Sequence, residues 1–75
     1  MSCPRLYIGN LPPEMTTAEI QKLCNPFGPI EHIYFYQGTG YAYVEFKDHT
    51  SANQAVENLH GMNFKERVLM AKIVS

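Results

Sequence analysis

The sequence predicts an α+β domain in which four strands form one antiparallel sheet and both helices cover a single face of it. Two observations carry this reading. Apolar residues alternate with period two in four short segments and recur at helical spacing in two others. The aromatic residues then divide by type. The four Phe (Phe27, Phe35, Phe46, Phe64) fall on core-facing or loop-anchoring positions, and the five Tyr (Tyr7, Tyr34, Tyr36, Tyr41, Tyr43) fall on the opposite sheet face.

Each element has its own signal. In RLYIG, residues 5–9, Leu6 and Ile8 alternate with Tyr7, and the strand ends at the turn-prone GNLPPE. Thr16 with Glu19 has the form of a capping box, and Ile20, Leu23, Cys24 and Phe27 follow at helical spacing. A helix is therefore expected over about 17–25, closed near Pro26 and Gly28. The second strand, IEHIYFY at 30–36, sends Ile33 and Phe35 one way and His32, Tyr34 and Tyr36 the other. Ile30 breaks that parity, which places it before the regular pairing or at a bulge. Gly38 to Gly40 turn the chain into YAYVEF, residues 41–46, as a tight hairpin. A second helix is expected over about 51–60, starting near Thr50 or Ser51, burying Ala52, Ala55, Val56 and Leu59 and stopping at Gly61. The last strand, about 67–73, sets Leu69, Ala71 and Ile73 against Val68, Met70 and Lys72. The order βαββαβ is that of the ferredoxin-like sandwich.

Composition bounds the rest. Seventy-five residues make one domain, 1–75, with a core over about 5–73. A 45% hydrophobic content without low-complexity runs excludes disorder. A net charge of −1 argues against a strong generic attraction to polyanions. Cys3 and Cys24 lie in no motif, so reduced thiols in an intracellular protein are expected. No apolar run approaches the roughly 18 residues of a membrane span, and no targeting signal is visible.

The helices connect on the Phe side, which leaves the Tyr side open. One exposed Tyr is an ordinary strand residue, but five on one small face form a contiguous aromatic patch, and such patches mark interaction sites. Flat rings on a sheet suit unpaired bases, each stack contributing about 1–3 kcal/mol. Duplexes hide those ring faces, so single-stranded RNA is the expected partner.

LYIGNL (6–11) and TGYAYVEF (39–46) resemble the hexamer and octamer ribonucleoprotein motifs of the RNA recognition motif family, at that family's spacing. The resemblance extends from about Arg5 to Ile73. It implies that Tyr7, Tyr41 and Tyr43 stack on bases or pack on sugars. Asn10 matches the hexamer Asn, with a turn-holding role at least as well supported as an RNA contact. Tyr34 and Tyr36 extend the same face. The family's octamer opens with Lys or Arg, whereas this one opens with Thr39, which keeps a hydroxyl and loses the charge. Arg5, Lys72 and Lys47 are the remaining candidates for phosphate contacts, and a shallow salt dependence is expected. The short YQGTG connection, with YIGNLPP, FGPIEHI and VEFKD, is similar to the first such motif of SR-type splicing factors, which implies pre-mRNA processing in the nucleus, with the cytoplasm as a second compartment.

Other chemistries find less support. His32, His49 and His60 are scattered without metal-ligand spacing, so no metal site is expected. His32 shares the Tyr face and could stack on a base, and Glu45 could accept from a base amino group. No nucleophile sits beside a base in any motif, so neither catalysis nor a cofactor is expected. The competing reading is a protein-interaction module using the same face within a ribonucleoprotein complex. A protein partner or neighbouring domains stay open alongside a monomeric RNA-binding domain. Peptide-binding relatives carry Arg-x-Phe before the last strand; MNF at 62–64 lacks the Arg, which disfavours that version.

Overall fold

The computed structural model describes residues 3–74; the ends of the expected 1–75 domain (Met1, Ser2 and Ser75) lie outside the described residues. The elements are β1 (Arg5–Gly9), α1 (Thr17–Cys24) followed by a 3-10 turn (Asn25–Phe27), β2 (Ile30–Phe35), β3 (Tyr41–Phe46), α2 (His49–Leu59), a small hairpin of β4 (Asn63–Phe64) and β5 (Arg67–Val68), and β6 (Met70–Ile73). β2, β3, β1 and β6 lie side by side in that order, all antiparallel. The ferredoxin-like plan is present, with β1 and β3 in the middle of the sheet.

The period-two pattern decides what is buried. Leu6, Ile8, Ala42, Val44, Phe46 and Ala71 point from the sheet into a core completed by Ile20 and Cys24 of α1 and by Ala52, Ala55 and Leu59 of α2. Leu11, Met15 and Leu69 close it from the connections, and Phe27, Ile33, Phe35 and Phe64 pack against its rim. Burial in this apolar layer pushes the Cys24 thiol up to about 12.

Local chemistry sets the boundaries. Thr16 caps α1: its hydroxyl accepts from the Glu19 N–H at 3.2 Å, and the Glu19 carboxylate accepts in return from the Thr16 N–H. Lys65 donates to Glu19 Oε2 at 2.6 Å, and this contact chiefly holds the Glu19 carboxyl below its usual range. Ile30 sits opposite Phe46 and His32 opposite Glu45, so Glu31 is the extra residue of a bulge and Ile30 turns back to the core.

Three expectations change. α2 begins at His49 rather than near residue 51, because Asp48, in extended conformation, reaches the Ser51 N–H at 2.7 Å and becomes the cap. β2 ends at Phe35, so Tyr36 leaves the sheet: its carbonyl accepts the Thr39 N–H that closes the turn. The strand expected over 67–73 is divided. Arg67 and Val68 pair with Phe64 and Asn63 in the small hairpin, and only Met70–Ile73 joins the main sheet.

Candidate nucleic-acid interface

The uncovered face is a grid set by strand register. One row runs Tyr34, Tyr43, Tyr7, Lys72 across all four strands, with each residue opposite the next. The row on one side places His32, Glu45 and Arg5 together, and the row on the other places Tyr41, Gly9 and Met70.

The rings of the middle strands form one surface. Tyr7 stacks towards Tyr41 with ring centres 6.2 Å apart and planes 28° from parallel. Tyr43 stands 5.7 Å from Tyr7 and edge-on to Tyr41 at 6.0 Å. Tyr7 can lie across the sheet because residue 9 is Gly: a Cβ there would come within 2.5 Å of the Tyr7 hydroxyl and 2.9 Å of its ring. Tyr34 and Tyr41 are 43% and 45% exposed, which leaves ring faces available at the surface. Tyr34 adds a fourth ring, 4.3 Å from the His32 imidazole.

Tyr36 does not join this surface. Tyr36 is 81% exposed and shares no ring contact among the described residues, because the strand has already ended. Thr39 is likewise occupied with the turn: its hydroxyl lies 2.7 Å from the Tyr36 carbonyl and 3.1 Å from that of Tyr41. Asn10 has a left-handed backbone, φ 64°, and holds the chain together at this end of the sheet. It donates to the Val68 carbonyl at 2.9 Å and accepts from Arg67 at 3.0 Å.

The charges are arranged less simply than the sequence implied. Arg5 donates to Glu45 Oε2 at 2.8 Å, and its guanidinium lies 5.1 Å from the centre of the Tyr34 ring. The hydrogen bond to Glu45 raises the Arg5 pKa further. Arg5 and Glu45 thus cancel each other on the open face. Lys72 holds its ammonium 5.6 Å from the Tyr7 ring centre and pairs with no acid among the described residues. Arg67 was not singled out from the sequence. It too lacks an acidic partner among the described residues, and neutral Asn10 fixes its guanidinium beside the end of β1. Its only sequence signal is a cation near the last strand.

No group of three His, Cys, Asp or Glu able to hold a metal occurs among the described residues. No helix among them is long and apolar enough to cross a membrane.

Comparison with known proteins gives the same direction. The family model for the RNA recognition motif matches residues 6–70. The serine/arginine-type shuttling mRNA binding protein NPL3 of Saccharomyces cerevisiae is 32% identical over 69 residues, covering 92% of this chain and 16% of that protein. A probable splicing factor, arginine/serine-rich 3, of Caenorhabditis elegans is 34% identical, covering 84% and 25%. The chain therefore spans a quarter or less of these curated relatives. Among solved structures, the Rna15 domain with bound RNA (GU) superposes with a TM-score of 0.80 at 34% identity, covering 91% of this chain and 79% of that one.

Proposed function

The chain belongs to the RNA recognition motif family, and from that premise we propose that it binds single-stranded RNA on the open face of its sheet, in pre-mRNA processing in the nucleus. The observation that carries this reading is the continuous ring surface of Tyr7, Tyr41 and Tyr43, bordered by Tyr34 and by the uncompensated Lys72. Stacking needs ring faces and tolerates any base, so the platform supplies affinity while edge residues select. The relatives named as splicing and mRNA-binding proteins, and the similar domain with bound RNA, support the biological setting.

Three stacks at about 1–3 kcal/mol each, less the cost of ordering a flexible strand, leave a net near micromolar binding. Tandem domains or a protein partner would raise that through effective concentration. No catalytic role is proposed.

The test is RNA titration of Tyr41→Ala and Tyr43→Ala variants. Each should lose about 1–3 kcal/mol of binding while the fold survives, because neither ring enters the core. Unchanged affinity in both would remove the assignment. The same rings would then be the contact surface of a protein partner in a ribonucleoprotein complex.

A further inference from the structure

The outer edge of β6 is covered by the chain that leaves α2, and His60 extends that cover with its side chain. α2 ends where the His60 backbone turns extended, φ −68° and ψ 121°, its N–H still donating to the Val56 carbonyl at 3.1 Å. The next residues run beside the approach to β6. Gly61 N–H donates to the Leu69 carbonyl and Leu69 N–H to the Met62 carbonyl, both at 2.8 Å. One step further along the edge the cover passes from backbone to imidazole, since the Ala71 N–H donates to His60 Nδ1 at 3.1 Å.

β6 lies at the end of the sheet order, with β1 as its neighbour. The Val74 N–H turns inward to the Arg5 carbonyl of β1 at 2.9 Å, so alternation sends the N–H groups of Ala71 and Ile73 outward. Outward N–H groups on an edge strand are where a further chain can pair. His60 occupies the first of the two.

This contact exists in one protonation state only. Nδ1 accepts while the ring is neutral and carries its proton on Nε2; a proton on Nδ1 turns the acceptor into a second donor facing the Ala71 N–H. Histidine is the side chain that makes this change between about pH 5 and 8. The groups around the ring offer no substitute. Tyr7 of β1, Tyr43 of β3 and Lys72 of β6 line the same cleft as His60, and no carboxylate among the described residues lines it; Glu57, three residues earlier on α2, lies outside that lining. A protonated imidazole therefore meets the Lys72 ammonium with no acid in the cleft to hold it beside Ala71.

We propose that His60 is a pH-sensitive latch on the β6 edge, closed while its imidazole is neutral and opened by protonation, which frees the Ala71 N–H. The latch controls local opening of one edge strand and leaves the central β1–β3 ladder untouched. It stands apart from the RNA-binding reading, because its contact is between a side chain and the backbone of the same chain.

The test is amide exchange of isotope-labelled protein at pH 7.5 and at pH 5, with the His60 ring followed through its imidazole shifts. Exchange is expressed as protection relative to an unstructured peptide at each pH, so that the chemical pH dependence cancels. Protection of Ala71 in the wild type should fall 3- to 10-fold at pH 5, about the worth of one hydrogen bond, while the amides of the β1–β3 ladder keep theirs. His60→Asn carries an acceptor, Oδ1, that does not titrate, and it should show the same Ala71 protection at both pH values. His60→Ala should be poorly protected at both. A ring that stays neutral at pH 5, or one that protonates with Ala71 protection unchanged, overturns the latch. Wild-type protection in His60→Ala also overturns it, and so does an equal acid loss in wild type and His60→Asn, since the opening then owes nothing to the imidazole.

Discussion

At the scale of single residues, the open face depends on a side chain that is absent. Tyr7 occupies space that a Cβ on Gly9 would take, and Gly9 lies opposite Tyr41 in β3, so the near-parallel Tyr7–Tyr41 pair follows from that Gly. Gly9→Ala should leave the melting temperature almost unchanged while reducing RNA affinity by up to the 1–3 kcal/mol of one stacked base, because only the ring has to move. An isothermal titration giving wild-type affinity would show that the flat placement of Tyr7 is dispensable. The parity of Tyr7, Tyr34, Tyr41 and Tyr43 was legible in the sequence because alternation in a strand is local. The pairing of Arg5 with Glu45 was not, since the partners are 40 positions apart and meet only through the β1–β3 register. Asn10 was half legible: a turn role followed from its type, but its bonds to Val68 and Arg67 depend on a hairpin near the other end of the chain.

Among elements, the errors have chemical reasons. Thr50 and Ser51 both resemble helix caps, yet Asp48 wins because its extended backbone aims the carboxylate at the Ser51 N–H. That backbone hydrogen bond, above all, holds the Asp48 carboxyl below its ordinary value of 3.8. A folded value lower than the unfolded one means that the cap stabilises fully above the ordinary value and is lost as pH falls through the lowered one. Asp48→Ala should therefore melt lower than wild type at neutral pH, with the gap closing as pH drops below 3.8. A gap that stayed constant from pH 7 to pH 2 in thermal melts would place the stabilisation outside the carboxylate. The β4–β5 hairpin escaped notice for a different reason. Its turn puts Lys65 and Glu66 at positive φ, 50° and 66°, where Asn and Gly are the residues that usually announce such a turn. The broken parity of Ile30 pointed to a residue before the regular pairing or to a bulge, and the register decides for the bulge.

For the molecule as a whole, one strand separates stability from binding. β3 sends Ala42, Val44 and Phe46 into the core and Tyr41, Tyr43 and Glu45 to the open face, so the two functions can be perturbed independently. Phe46→Ala should cost about 3–5 kcal/mol, a large share of what a small domain has, and a denaturant midpoint near wild type would contradict the register. Electrostatics belongs to the same scale. The net charge is −1, Arg5 is neutralised by Glu45, and Lys65 is held by Glu19. Lys72, over the Tyr7 ring, and Arg67, held by Asn10 beside the end of β1, pair with no acid among the described residues, and two phosphate contacts from them are the basis for the salt effect. At about −0.7 per contact on a single strand, log K against log salt should have a slope of about −1.4, and Lys72→Gln should make it shallower by about 0.7. Anisotropy titrations between low and moderate salt measure both. A slope of −4 or steeper would mean that backbone charge, rather than stacking on tyrosine, supplies the affinity, and the platform would then be an accessory to an electrostatic site.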